Sequence, residues 1–142
     1  MFGIFGNNRS KTTKFLVNQA IGGQSVLYRL FRDVLECEDK KIRLVELTYF
    51  ALAVLAYIYL RLVKEKDRET ILDDATREVL NSTLPHCREV LSFSAAVAEY
   101  RRRYSEYDRL LQQIFTKDGL DDHACITLVM HLYECTTQKS AQ

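Results

Sequence analysis

Tryptophan is absent, proline occurs once and glycine five times among 142 residues. So few chain-turning residues exclude sandwiches and barrels, which need many tight turns. Long helices are what remains. Excess charge is missing too: the net charge of +1 gives no strong field to hold nucleic acid or an anionic membrane. The four cysteines (Cys37, Cys87, Cys125 and Cys135) form no C-x-x-C pair and no regular framework. Free thiols acting as small apolar side chains, in a reducing, cytoplasmic-type compartment, are the expectation. No basic region precedes a sustained apolar segment, which argues against a secretory signal. Phe2 is not the glycine that myristoylation requires, and the closing KSAQ offers no prenylation cysteine.

Motifs of catalysis are also lacking. Gly22-Gly23 has neither the strand, the spacing nor the lysine of a phosphate-binding loop. No H-E-x-x-H or G-x-S-x-G occurs. His131 and Cys135 are four apart on one helical face, with His123 two turns earlier. A structural zinc needs four ligands and a catalytic zinc three plus water, and nothing fixes His86 or Cys87 beside them. No catalytic residue, metal or cofactor is therefore assigned.

What is present is an ordinary globular composition, 47% hydrophobic and 27% charged. A chain of this length hides roughly 68–70% of its unfolded surface, enough for a core without staples. The most apolar run is Ile42 to Val63, IRLVELTYFALAVLAYIYLRLV. Its unbroken apolar part, Leu47 to Leu60, makes a helical rod of roughly 21 Å, against a bilayer core of about 30 Å. Arg43, Glu46 and Arg61 close its ends. A helix apolar on every side must be covered on every side. Too short for lipid, it predicts the central helix of a bundle.

The flanking patterns supply the cover. Ser10 or Thr12 caps a short helix through Phe15, Leu16 and Ala20, with Gly22-Gly23 as its end. From Gln24, Val26, Leu27, Leu30, Phe31, Val34 and Leu35 make one helical stripe, and CEDK (Cys37 to Lys40) leads into the central helix. Asp67 is placed to cap a helix whose apolar side is Ile71, Leu72, Ala75, Val79 and Leu80. Thr83 with Pro85 reads as the next N-terminus. Val90, Phe93, Val97, Tyr100, Tyr104, Tyr107, Leu111 and Ile114 then recur every 3 or 4 residues, the seam of bundle packing. Lys117-Asp118-Gly119 reads as that helix's end. Asp121 caps a last helix with Cys125, Leu128, Val129, Leu132 and Cys135 inward. The expectation is an all-α, single-domain bundle of about six helices, residues 10–136, between a flexible N-terminus (1–9) and a polar tail (137–142).

Three sets of residues are candidates for binding. Arg43 and Glu46, three apart, meet at the start of the central helix. In Glu99 to Arg109, Tyr100, Tyr104 and Tyr107 face the seam while Arg101, Arg102 and Arg103 fan around the outside, a Tyr–Arg mixture found at interface hot spots. Glu99, Glu106 and Asp108 cancel the local charge that single-stranded nucleic acid would require. Tyr57 and Tyr59 face opposite sides of the central helix, so at least one reaches the bundle rim, a pocket or a second subunit.

The functional expectation is a non-enzymatic protein acting through protein–protein contact: an adaptor, regulator or immunity-type factor, with a homodimer possible through the tyrosine-bearing faces. An alternative is a small-molecule-binding or catalytic bundle. Its pocket would lie between the central and long helices, with Arg43, Glu46, Glu99, Tyr100 and a histidine as polar groups. A further alternative attaches Phe2, Ile4 and Phe5, with the basic Arg9 to Lys14 segment, to a membrane surface.

Overall fold

The computed structural model describes residues 9–59 and 62–137. The N-terminal residues Phe2, Ile4 and Phe5, and the tail beyond 137, lie outside the described residues. The described residues form five α-helices: α1 (Arg9–Arg29), α2 (Leu44–Tyr59), α3 (Glu65–Thr83), α4 (Phe93–Ile114) and α5 (Asp122–Thr137). A two-stranded hairpin, β1 (Phe115–Thr116) and β2 (Gly119–Leu120), joins α4 to α5. Among the described residues no helix is long and apolar enough to cross a membrane.

The apolar rod is the centre of the fold. Val45, Glu46, Leu47, Thr48 and Tyr49 are all buried, and five consecutive helical residues point in all directions, so this part of α2 is covered on every side. The helix is shorter than its sequence suggests. Ile42 is extended, and the α2 helix begins at Leu44 with the carbonyl of Arg43 accepting from the Glu46 and Leu47 amides at 3.0 and 3.3 Å. Leu62 and Val63 already belong to the turn into α3.

Other boundaries differ from the sequence reading: Ser10 and Thr12 lie inside α1, and Asp67 lies in the first turn of α3, whose N-cap is Lys64. Gly22-Gly23 ends nothing: α1 runs through both. A Cβ at Gly23 would stand 3.4 Å from that of Ala51, so this glycine lets α1 and α2 approach closely. The helix instead widens into a π-helical turn at Leu30–Val34 and stops at Glu36, a non-glycine residue with φ of 56°. There the Cys37 amide donates back to the Phe31 carbonyl at 2.9 Å, the bond that closes a helix through a left-handed residue.

Thr83 continues α3 into a 3-10 turn at Leu84–His86 rather than opening a helix. It is Ser92 that caps α4, its Oγ accepting from the Ala95 amide at 3.2 Å. Val90 falls before the helix and is fully exposed. Finally, Lys117-Asp118-Gly119 forms the tip of the hairpin, with Phe115 paired to Leu120. Gly119, at φ of +121°, supplies a conformation other residues rarely adopt. Asp121 caps the last helix as expected, accepting from the Ala124 amide at 3.0 Å.

Candidate functional site

Arg43 and Glu46 meet as their spacing requires, Nη1 to Oε1 at 3.2 Å. They are the hub of a larger assembly. Glu46 is completely buried. Its Oε1 also accepts from Arg103 Nε at 2.9 Å, and its Oε2 accepts from the Tyr107 hydroxyl at 2.6 Å. Arg43 donates onward to Glu89 through Nε and Nη2, both at 3.2 Å, and to Glu99 through Nη2 at 3.0 Å. Arg103 Nη1 donates to Glu106 at 3.2 Å, and the His131 Nε2 of α5 lies 3.7 Å from the same carboxylate. A charge as deeply buried as Glu46 is tolerated only when paired and fully hydrogen-bonded. Two guanidinium groups and a phenol meet that condition.

Electrostatics follow from this packing. Burial, then Glu46, pushes the Tyr107 phenol far above its ordinary value. Burial opposes the charge on Arg43, yet Glu99 and Glu89 outweigh it and hold the guanidinium above its usual range. For Arg103, Glu46 likewise outweighs burial. Burial first, and Glu46 second, pushes the Cys135 thiol up to about 11; burial and Glu89 do the same to Cys87. Groups held so firmly in one protonation state bind structure together and do not shuttle protons near neutrality.

The remaining sequence candidates distribute as follows. Arg103 does not fan outward with its neighbours but turns in to Glu46; Arg101 and Arg102 stay exposed. Tyr57 stacks on Phe115 of the hairpin at 5.3 Å, and Tyr59 meets Phe15 of α1 edge-on at 5.1 Å, so the two do face opposite elements. Tyr100 is buried, its ring 5.6 Å from Tyr49 and 5.9 Å from Tyr104. This network and these rings fill the α2–α4 interface around Glu46 and Tyr49, whereas farther along, Ala56 and Tyr57 of α2 line a cleft of about 380 Å³ with Tyr104, Asp108 and Gln112 of α4. The recess Tyr100 and Tyr104 do line, about 340 Å³, lies between α3 and α4, with Arg101 at its edge. His131 lies 3.7 Å from Cys135, but among the described residues no three metal-ligating side chains converge.

The outer face of α5 was not among the sequence candidates. Leu128, Leu132 and Cys135 are buried, whereas Val129, expected inward, is 61% exposed. Ile126, Met130 and Tyr133 join it, each at least 43% exposed. Positions 126, 129, 130 and 133 fall on one side of a helix. Next to this face is the π-helical turn, where Phe31 stacks on Tyr133 at 6.0 Å. The Cys37 thiol beside the Tyr133 phenol holds that phenol above its ordinary value. Leu30, Val34 and Leu35 of this region are also exposed, at 42–66%.

The signal was in the sequence: α5 carries apolar residues on two faces, more than one packing surface consumes. Pinned from behind by the hydrogen bond from the Arg43 amide to the Thr136 carbonyl at 2.9 Å and by Glu106 at His131, the helix presents its second face on a fixed support. No protein-family model, curated protein or solved structure matches the chain.

Proposed function

We propose that the protein is a non-enzymatic helical module acting through protein–protein contact, as an adaptor, regulator or immunity-type factor, and that its contact surface is the outer face of α5 with the adjoining π-helical turn. One observation carries this reading. Ile126, Val129, Met130 and Tyr133, with Leu30, Val34 and Leu35 beside them, place seven large apolar side chains in water on two elements that touch. Large apolar side chains exposed together along one helix face mark interaction sites, and Met and Tyr suit them because they combine broad area with adaptable packing. The surface differs from the tyrosine-bearing faces suggested by the sequence, because Tyr100 and Tyr107 are consumed by the core.

A second copy of the chain is the first partner to test. Sedimentation at micromolar concentration should give a dimer, and a Val129→Glu/Met130→Glu variant, altered only at exposed positions, should sediment as a folded monomer. A strictly monomeric wild type that also captures no partner would remove the support for this function. A dimer unchanged by the double variant would move the contact elsewhere.

A further inference from the structure

Beside Arg43 the chain leaves a cleft of about 690 Å³ between the C-terminal part of α1, the 3-10 turn before α2 and the end of α3. Its lining is one-sided in chemistry. Arg29, Lys40, Lys41, Arg43 and Arg88 contribute five cations, with His86 among them, against the single carboxylate of Glu89. In a protein of net charge +1 this is a concentration of positive charge in one place. The acids nearby are already engaged: Glu89 with Arg43 at 3.2 Å, Glu38 with Lys40 at 3.6 Å, Asp39 as acceptor from the Tyr28 hydroxyl at 3.1 Å. Among the described residues Arg29, Lys41 and Arg88 approach no carboxylate within 4.0 Å, although Asp33 lies close enough to Arg29 to feel its charge and Arg88 faces the Tyr28 hydroxyl.

The floor adds donors. Gln24 is 8% exposed, and its carbonyl oxygen accepts from the Thr48 hydroxyl and, at 3.4 Å, from the Thr83 hydroxyl. Its two amide N–H donors are what it has left to offer the cleft. Ser25 stands one residue on. Ile42, Leu44 and the ring of Tyr28 supply an apolar wall. Burial, then Asp39, holds the Tyr28 phenol above its ordinary value, and Arg88, close to the same hydroxyl, acts against both.

We propose that this cleft binds an organic phosphate of mononucleotide size, with Arg29, Lys41 and Arg88 on the phosphate and Gln24 on a polar group of the body. Guanidinium forks match phosphate oxygens in geometry as well as charge. The volume lies in the range of small-molecule sites, about 300–1,000 Å³, and exceeds what a bare inorganic anion fills, so the anion carries a body that lies against Ile42, Leu44 and Tyr28. This site is separate from the α5 face and stands or falls without it.

Titration calorimetry of the full chain with ATP, AMP, inorganic pyrophosphate and citrate tests it. At about 50 mM salt, ATP or AMP should saturate the protein at a Kd below about 1 mM, and the affinity should fall at about 200 mM salt. Pyrophosphate, lacking the body, should bind more weakly, and citrate more weakly than either nucleotide. Lys41→Gln/Arg88→Gln, both exposed and outside any ion pair, should lose at least about tenfold in affinity. Arg101→Gln/Arg102→Gln, equal in charge removed but remote, should lose little. The proposal is overturned if neither nucleotide saturates below about 1 mM, if the two double variants weaken binding equally, or if citrate matches the nucleotides.

Discussion

Tyr107 contributes one hydroxyl to the interior, and its partner is an ionised carboxylate with no access to water. Hydrogen bonds to charged groups are worth about 1.5–3 kcal/mol net, so Tyr107→Phe should lower stability by about that amount in urea unfolding without changing the fold. A loss under about 0.5 kcal/mol would mean that Arg43 and Arg103 satisfy Glu46 unaided. The thiols make a separate prediction. With Cys87 and Cys135 pushed up to about 11, only about a thousandth of each is thiolate at pH 8. Alkylation followed by mass spectrometry should label both at least about tenfold more slowly in the native protein than in urea. At this scale the sequence revealed the Arg43–Glu46 pair, because three residues of helix bring them together. It concealed Glu89 and Tyr107, which join the pair from 46 and 61 positions away, and it gave no reason for Arg103 to turn inward while Arg101 and Arg102 do not.

Among the elements, α1 shows how a helix can contradict its own punctuation. Glycines normally mark an end, yet Gly22 and Gly23 lie inside the helix and the left-handed terminator is Glu36. The two glycines differ in surroundings. Nothing lies within 4 Å of a Cβ at Gly22, whereas Gly23 abuts Ala51. Gly22→Ala should therefore raise stability by about 0.4–1 kcal/mol, through helix propensity and a less flexible unfolded chain. Gly23→Val should lower it by about 1–3 kcal/mol by overpacking the α1–α2 contact. Thermal melts of the two variants should move in opposite directions; movement in the same direction would contradict the close approach. Asp121, by contrast, was readable as a cap from local chemistry alone, and the 3-to-4 spacing located α4 but not its first residue.

For the whole molecule, the all-α bundle around one buried apolar helix was legible, because a rod greasy on all sides admits few solutions. The buried face of α5 was legible at Leu128, Leu132 and Cys135, but not its edge at Val129, since that edge depends on what α4 and the π-helical turn leave uncovered. The distribution of buried acids also sets how the molecule responds to base. Cys87, Cys135 and the phenols of Tyr49, Tyr100 and Tyr107 all hold their protons more tightly folded than unfolded. Above the ordinary thiol value of 9.0 the unfolded chain loses protons that the folded chain keeps. Stability is therefore complete below that pH and declines as pH rises through about 11 and beyond. Urea midpoints should fall steadily from pH 9 upward, and a flat profile to pH 11 would contradict the burial of these groups.

The order in which the chain is made gives the wrapped α2 helix a cost of its own. Synthesis proceeds from N- to C-terminus at about 5–20 residues per second, so the stretch between Tyr59 and Thr137 takes roughly 4 to 16 seconds to emerge. At the start of that interval α1 alone can shelter the greasiest segment of the nascent polypeptide; α3 joins it next, then α4, and α5 comes last. Transcripts cut short before α4 would release products with that segment half-clothed, natural clients for chaperones and proteases.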